Sequence, residues 1–534
     1  MDNDKPWFNA HDYDPWANKS PFTPFKLSED IKPSWEQPKL NGKHYTSAPV
    51  GIDDPGRHLE LEVARPPIEI PGLVGEIVNY CWNAASSQLA EVAVASALSL
   101  MSLLCSRAYR HGTLGLNMYL LVLAQTSMGK SFGFQSNDYL INALQKHYEQ
   151  IKPPHWAEAQ KRVEATKKMI VDAFGSAQGL QQHIPNSPST LWHADEFVNA
   201  IKLMSQPFPP PHIQQLRDEL LKLTEKSGPG RVYRAAKYSK RSSTAQAEID
   251  VYMASLTILA TGTPEAFYDD LNSTLLTYGF LPRFTVFEYT GSMPAKNANP
   301  ISTPTKSLMD KLITLFDHTF NISLTINHQT SVEDITDVVA NPAARDKLNW
   351  VENYCMREVV KAQANNLPTS GVWTRAKEHT AQIASLIAIG CNPYMPTIDR
   401  QHVDIAWKIV SNGVARLTGK VAKGETGEGD SRLVSEIRKQ IARMYVGGYE
   451  KFKGYPMIKK ELIDAGIIQI SAVKNYCRVL AVFRRHKLGE TRAFDDAYNS
   501  MLRDGEITRH IIEGSRIECV KLNMEIFEPI ISQL

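Results

Sequence analysis

No two of the six cysteines (Cys81, Cys105, Cys355, Cys391, Cys477 and Cys519) stand in a CxxC spacing. That argues against a zinc site or a disulfide framework and fits a reducing cytoplasm. Long apolar runs are missing as well. The longest, Val92 to Cys105, is interrupted by Ser96, Ser99 and Ser102 and falls short of the roughly 18 residues that span a bilayer. An excess of one charge is also absent: 59 Lys and Arg against 57 Asp and Glu leave a formal +2. Any nucleic-acid surface therefore has to be a local patch. The opening MDNDKPWFNAHDYDPW is acidic and rich in Pro and Trp, unlike a secretory signal. There is no internal repeat and no coiled-coil heptad pattern. The expectation is a soluble cytoplasmic protein with no membrane partner.

What is present divides into segments. At 534 residues the chain calls for two to four domains. Residues 1–65 read as a flexible arm in which Trp7, Trp16 and Trp35 are either partner anchors or loose packing. Residues 66–113 carry helical apolar spacing for two helices. Residues 114–300 alternate buried strands ("NMYLLVLA", "STLWHADEF", "VYMASLTILATGT") with helices, the pattern of a parallel sheet covered on both faces. A charged helix is expected over Trp156 to Phe174. Residues 301–422 read as a helical lid. The polar, glycine-rich 423–431 reads as a linker. Residues 432–534 give helix, helix, helix and two short strands, the order of a winged-helix-like α+β domain. The fold class is α/β, with an NTPase core of RecA-like or AAA+ kind, a helical N-terminal collar and a helical lid.

The chemistry begins at "AQTSMGKS", Ala124 to Ser131. It ends like the phosphate-binding pattern GxxxxGKS/T, with Ala124 where the first Gly is usual. Backbone N–H groups of Ala124, Gln125, Thr126, Ser127, Met128, Gly129, Lys130 and Ser131 are candidates to cradle phosphates. In that arrangement Lys130 reaches the β and γ oxygens and Ser131 ligates Mg2+. Alanine is tolerated at position 124 if its φ stays negative. A strand before the loop and a helix after it supply the context the mechanism needs. "HADEF" puts Asp195 and Glu196 at the end of the next buried strand, where Asp195 can hold the metal and Glu196 can polarise water. The plain alternative is an acidic pair capping a helix. Thr261, at the tip of the third strand, is placed to sense hydrolysis. Arg283, after the turn in "YGFLPRF", is a candidate arginine finger for a neighbouring subunit, with a structural ion pair as the alternative. Arg375 or Lys377, at a helix start, is a candidate to reach the γ-phosphate from the lid.

The ordered set "IPGLVGEIV", "AQTSMGKS", "SAQGLQQHI", "HADEF", "LTILATGTPEAF" and "GFLPRF" resembles a phage and mobile-element family. That family is a domain of unknown function found in primase-helicase-like replication proteins, and it is related to ring-forming P-loop ATPases of the RecA-like and AAA+ kinds. The resemblance covers about residues 67 to 420. It implies ATP and Mg2+ as cofactors and roles for Lys130, Ser131, Asp195 and Glu196 in binding and catalysis. It also implies Arg283 as an inter-subunit finger, a hexameric ring and a bacterial host cell. No primase-type signature accompanies it.

Two basic stretches are candidates for single-stranded DNA. Leu220 to Ser243 offers Arg231, Arg234, Lys237, Lys240 and Arg241 with Tyr233 and Tyr238 interleaved, suited to phosphate neutralisation and base stacking. "VKNYCRVLAVFRRHK" offers Lys474, Arg478, Arg484 and Arg485, on the recognition helix of a winged module or its neighbour. Each stretch also has a bland reading, as a solvated loop or a protein-docking face. The expectation is an ATP-driven DNA motor, a replicative helicase or its loader. The N-terminal arm is a candidate contact for a primase, a polymerase or a single-strand-binding protein. The alternatives are a non-motor ATPase that remodels a replication partner and a DNA-binding initiator.

Overall fold

A computed structural model describes residues 68–206, 209–234, 250–271, 273–294, 296–422, 426, 430–452, 460–484, 489–512 and 517–532. The arm with Trp7, Trp16 and Trp35, most of the 423–431 linker, and Lys237, Tyr238, Lys240, Arg241 and Arg485 lie outside the described residues.

Apolar runs build the central sheet. Its strands are β1 (Tyr119–Leu123), β2 (Ile170–Val171), β3 (Ser189–Ala194), β4 (Ser255–Gly262) and β5 (Phe284–Glu288), lying side by side in the order β2-β3-β4-β1-β5. All four neighbouring pairs are parallel. Every residue of β1, β4 and β5 is buried, as expected of a parallel sheet covered on both faces. Tyr119 opens β1 level with Ile258 and Phe284, and Leu123 closes it level with Gly262 and Glu288. The strands therefore share one N-terminal and one C-terminal edge. The edge strand β2 was hidden inside the expected charged helix: that helix stops at Met169, and Ile170–Val171 pair with Leu191–Trp192.

Helices α1 (Gly72–Ala84), α2 (Ala90–Cys105), α3 (Phe132–Glu149), α4 (Trp156–Met169) and α5 (Pro211–Leu223) belong to the sheet's surroundings. They are followed by α6 (Lys306–Thr325), α7 (Pro342–Ala364), α8 (Ser370–Cys391) and α9 (Arg400–Ala422). All of α2 is buried, and it packs against β1, β3, β4 and β5. Its serines survive burial because each finds a partner, as buried hydroxyls must. Ser96 donates to Gly133 O, Ser99 to Ser96 O, and Ser102 to Leu116 O. The interrupted apolar run is thus a core helix. Among the described residues no helix is long and apolar enough to cross a membrane.

The C-terminal region contains α10 (Asp430–Val446), β6 (Ile467–Gln469), α11 (Ile470–Arg478), α12 (Glu490–Arg503), β7 (Ile507–Ile511), β8 (Glu518–Leu522) and α13 (Met524–Ile531). Its strands form an antiparallel sheet in the order β6-β8-β7. Leu433, Ile437, Ile441, Phe483, Phe494 and Phe527 share one hydrophobic core. Two of the three strands were expected; β6 has only three residues, too few for alternation to register.

Candidate functional site

The loop from Ala124 to Ser131 leaves the C-terminal end of β1 and enters α3. Ser127 (φ 69°) and Gly129 (φ 84°) take the left-handed backbone there, whereas Ala124 is not among the positive-φ residues. The unusual angles fall three and five residues past the missing glycine, so a Cβ at position 124 costs no backbone strain. Ala124 is fully buried and donates to Gly262 O at 3.2 Å. Among the described residues no carbonyl accepts from the N–H groups of Gly129, Lys130 or Ser131, while Phe132 N closes a turn on Gly129 O. Free donors at the start of an 18-residue helix favour an anion there. Gln125, Thr126, Ser127 and Ser131 are exposed; Met128 points inward.

The acidic pair sits at the same edge. Asp195 follows the last residue of β3, and its Oδ1 accepts from Thr261 Oγ1 at 2.5 Å and from Glu196 N at 3.1 Å. Thr261, at the tip of β4, is buried. Its hydroxyl is spent on the carboxylate, which makes it a positioning residue for Asp195. Glu196 holds φ 48°, a conformation uncommon for a side chain larger than Asn and typical of functional turns. Its Oε1 lies 3.2 Å from Lys130 Nζ. Lys130, Thr261 and both carboxylates thus meet beside the loop at the C-terminal edge of the sheet.

The two arginines lie elsewhere. Arg283 immediately precedes Phe284, the residue level with the start of β1, so it belongs to the N-terminal edge. Five residues of strand, about 15 Å at the usual rise, separate it from the loop of its own chain. Arg283 donates to Gly279 O at 2.6 Å, to Thr224 Oγ1 at 2.9 Å and to Glu225 Oε1 at 2.9 Å. Arg375 shares Glu225 (3.5 Å) and also holds Glu378 (2.5 Å). Burial, with Arg375 nearby, lowers the Arg283 pKa. Arg375 is therefore grouped with Arg283 and away from the loop.

Several groups near the loop were not anticipated. Glu288, buried at the tip of β5, accepts from Tyr268 OH at 2.7 Å and faces Lys420 Nζ at 3.3 Å. Arg416 of α9 donates to Thr290 Oγ1 at 3.1 Å. Glu91 of α2 is buried, and burial pushes its carboxyl up to about 7. Glu288 was legible, being a charge ending the apolar "FTVF" as Asp195 ends "LWHA". Arg416 and Glu91 come from distant helices and carry no local signal.

The basic stretches fare unevenly. Arg231 and Arg234 are exposed beside the short antiparallel pair Val232–Tyr233 and Val251–Tyr252. Tyr233 is not free to stack on a base: it is buried and donates to Glu219 Oε1 at 2.7 Å. Lys474 pairs with Asp495, and Arg478 lies 2.7 Å from Glu490. Both acids stand on α12, so the positive face expected on α11 is neutralised by its neighbour. Arg484 stays exposed.

The chain matches no protein-family model and no curated protein sequence. Among solved structures it is similar to a full-length MCM homolog from Methanopyrus kandleri, at 15% identity and a TM-score of 0.30, over 64% of this chain. The match spans 62% of the length of that protein. A TM-score of 0.30 is too low to establish a shared fold.

Proposed function

We propose that the chain is a P-loop ATPase that drives a motor on DNA, assembled as a ring of copies. One observation carries this reading: the free N–H groups of 129–131, Lys130, Ser131, Asp195, Glu196 and Thr261 converge on one edge of a parallel sheet. The donor set fits the cofactors. Backbone N–H groups and an ammonium suit a triphosphate, and a hydroxyl with a carboxylate suits a hard cation such as Mg2+. Bound ATP and Mg2+ supply the γ-phosphoryl group and the counter-charge at its oxygens.

The loop N–H groups would hold the phosphates, and Ser131 and Asp195 would hold the metal, Asp195 being fixed by the Thr261 hydroxyl. Lys130, now 3.2 Å from Glu196, would hold phosphate oxygens, and the Glu196 carboxylate would then be available to orient the attacking water. Arg283, on the opposite edge, completes the site of the next subunit, and Arg375 stands beside it. The exposed Arg231 and Arg234 contact the DNA backbone. The C-terminal region, with two antiparallel strands after its last long helix, acts as a winged-helix module.

Pairing of Lys474 and Arg478 with acids on α12, together with burial of Tyr233, favours one second reading. In it the same ATPase remodels a protein partner. ATP turnover with and without single-stranded DNA separates the two. The motor predicts turnover that DNA stimulates and that both Lys130→Ala and Glu196→Gln abolish. Turnover indifferent to DNA supports the partner-remodelling ATPase, and no turnover under any condition contradicts both.

A further inference from the structure

Arg283 is gripped at all three nitrogens of its guanidinium. Nη1 donates to Gly279 O, Nε to Thr224 Oγ1 and Nη2 to Glu225 Oε1. The turn before it is built for the first of these contacts. Gly279 holds φ 76°, and a Cβ there would stand 2.8 Å from Arg283 Nη1. Only glycine permits both the turn and the approach. A guanidinium carries five N–H donors. Three are used among the described residues, which leaves one on each terminal nitrogen. Glu225 does more than complete this grip, because its Oε1 also faces Arg375 Nη2 at 3.5 Å. One carboxylate thus holds two guanidinium groups, from the start of β5 and from α8. The cluster is open to solvent, with the Glu225 side chain 58% exposed and that of Arg375 27% exposed. Bracing the fold needs no second guanidinium beside the first, since like charges repel. Two of them at an accessible point suit a multiply charged anion such as a phosphate.

We propose that Glu225 is the positioning residue of this edge. It holds the two guanidinium groups side by side and keeps the unused Arg283 donors for the phosphates of a nucleotide bound to a second copy of this chain. The proposal rests on the ring reading above and deepens it. Without Glu225 only two neutral oxygens hold Arg283, and Arg375 repels it.

The test is steady-state ATP turnover by the full chain, read as kcat and KM. Glu225→Ala is expected to lower kcat about 10- to 100-fold, the range for a hydrogen bond to a charged group, with KM unchanged. Glu225→Gln, which keeps an acceptor and the side-chain volume without the charge, shows a smaller loss and carries the same test if the alanine variant unfolds. The double variant Glu225→Ala, Arg283→Ala is expected to be no slower than Arg283→Ala alone, because both changes act through one group. Glu225→Ala recovers turnover when mixed with Lys130→Ala and not when mixed with Arg283→Ala, which places it on the arginine side of the junction. A slow Arg283→Ala beside both Glu225 variants at full rate overturns the proposal and leaves the finger standing. A Glu225→Ala loss that multiplies with that of Arg283→Ala, or that appears in KM alone, overturns it as well. A full-rate Arg283→Ala overturns the finger reading and the proposal with it. No turnover by wild type overturns the ATP site itself.

Discussion

The two edges of the central sheet differ in kind. At the C-terminal edge a loop with free N–H groups meets Lys130, Ser131, Asp195, Glu196 and Thr261. At the N-terminal edge Arg283 and Arg375 share Glu225. The first edge gathers free backbone donors, an ammonium and two carboxylates, and its arginine, Arg416, is engaged by Thr290. The second has two guanidinium groups and no phosphate cradle. A parallel sheet keeps these ends apart by its length, so no side-chain motion joins them within one copy. In the proposed ring, the edges of two neighbouring copies would together make one complete site.

Breaking the N-terminal edge gives the largest effect. Arg283→Ala is expected to lower ATP turnover by about 10³-fold or more, the lower end for arginine fingers, with nucleotide affinity within a few-fold of wild type. Arg375→Ala follows with a smaller loss, since Arg375 is also engaged by Glu378. If Arg375→Ala instead abolishes nucleotide binding, the residue serves its own chain's loop and the division between edges fails. Steady-state turnover and titration on the same samples decide.

Breaking the C-terminal edge comes next. Glu196→Gln is expected to cost about 10²–10⁴-fold in turnover, as for a positioned general base, while ATP binding tightens or stays equal because Lys130 is released from its ion pair. Thr261→Val sharpens the picture with a milder change, roughly 10-fold in turnover. It removes the hydroxyl that fixes Asp195 and leaves both carboxylates. The loss is expected to appear as weaker dependence on Mg2+, read from turnover against metal concentration.

Much of the first edge was legible in the sequence, because a buried strand, a loop and a helix are contiguous there. The strands that lead to Asp195 and Thr261 each advertise themselves as an apolar run ending in a polar tip. Arg283, read at the start of a strand, lies there, whereas its ion-pair partner Glu225 follows from no local spacing. Arg375 was assigned to the wrong neighbourhood because helix spacing says nothing about which end of the sheet a helix start faces. The positive face of α11 failed for a related reason: Asp495 and Glu490, which neutralise it, belong to a later helix. Strand β2 was missed because two residues cannot show a period.

The smallest effect concerns pH. Burial raises the Glu91 carboxyl from 4.5 to about 7, so the folded chain takes up a proton there between those values that the unfolded chain does not. This group's contribution is fully present below pH 4.5 and is lost as pH rises through 7. Glu91→Gln removes it. The variant is expected to melt higher than wild type at pH 8, by about 1–3 kcal/mol in stability, with the gap narrowing toward pH 5. A gap that widens on acidification contradicts the burial of this carboxyl beside the loop.

The central claim is that one site is built from two edges of two copies. The most direct measurement mixes two inactive variants, Lys130→Ala and Arg283→Ala, and follows ATP turnover across mixing ratios. Each variant spoils a different edge, so a mixed assembly contains junctions where an intact loop meets an intact arginine. The account predicts recovered turnover that peaks near equal amounts, with neither variant active alone. Turnover at background for every ratio, from proteins shown to co-assemble, would contradict it and place Arg283 in a structural role within its own chain.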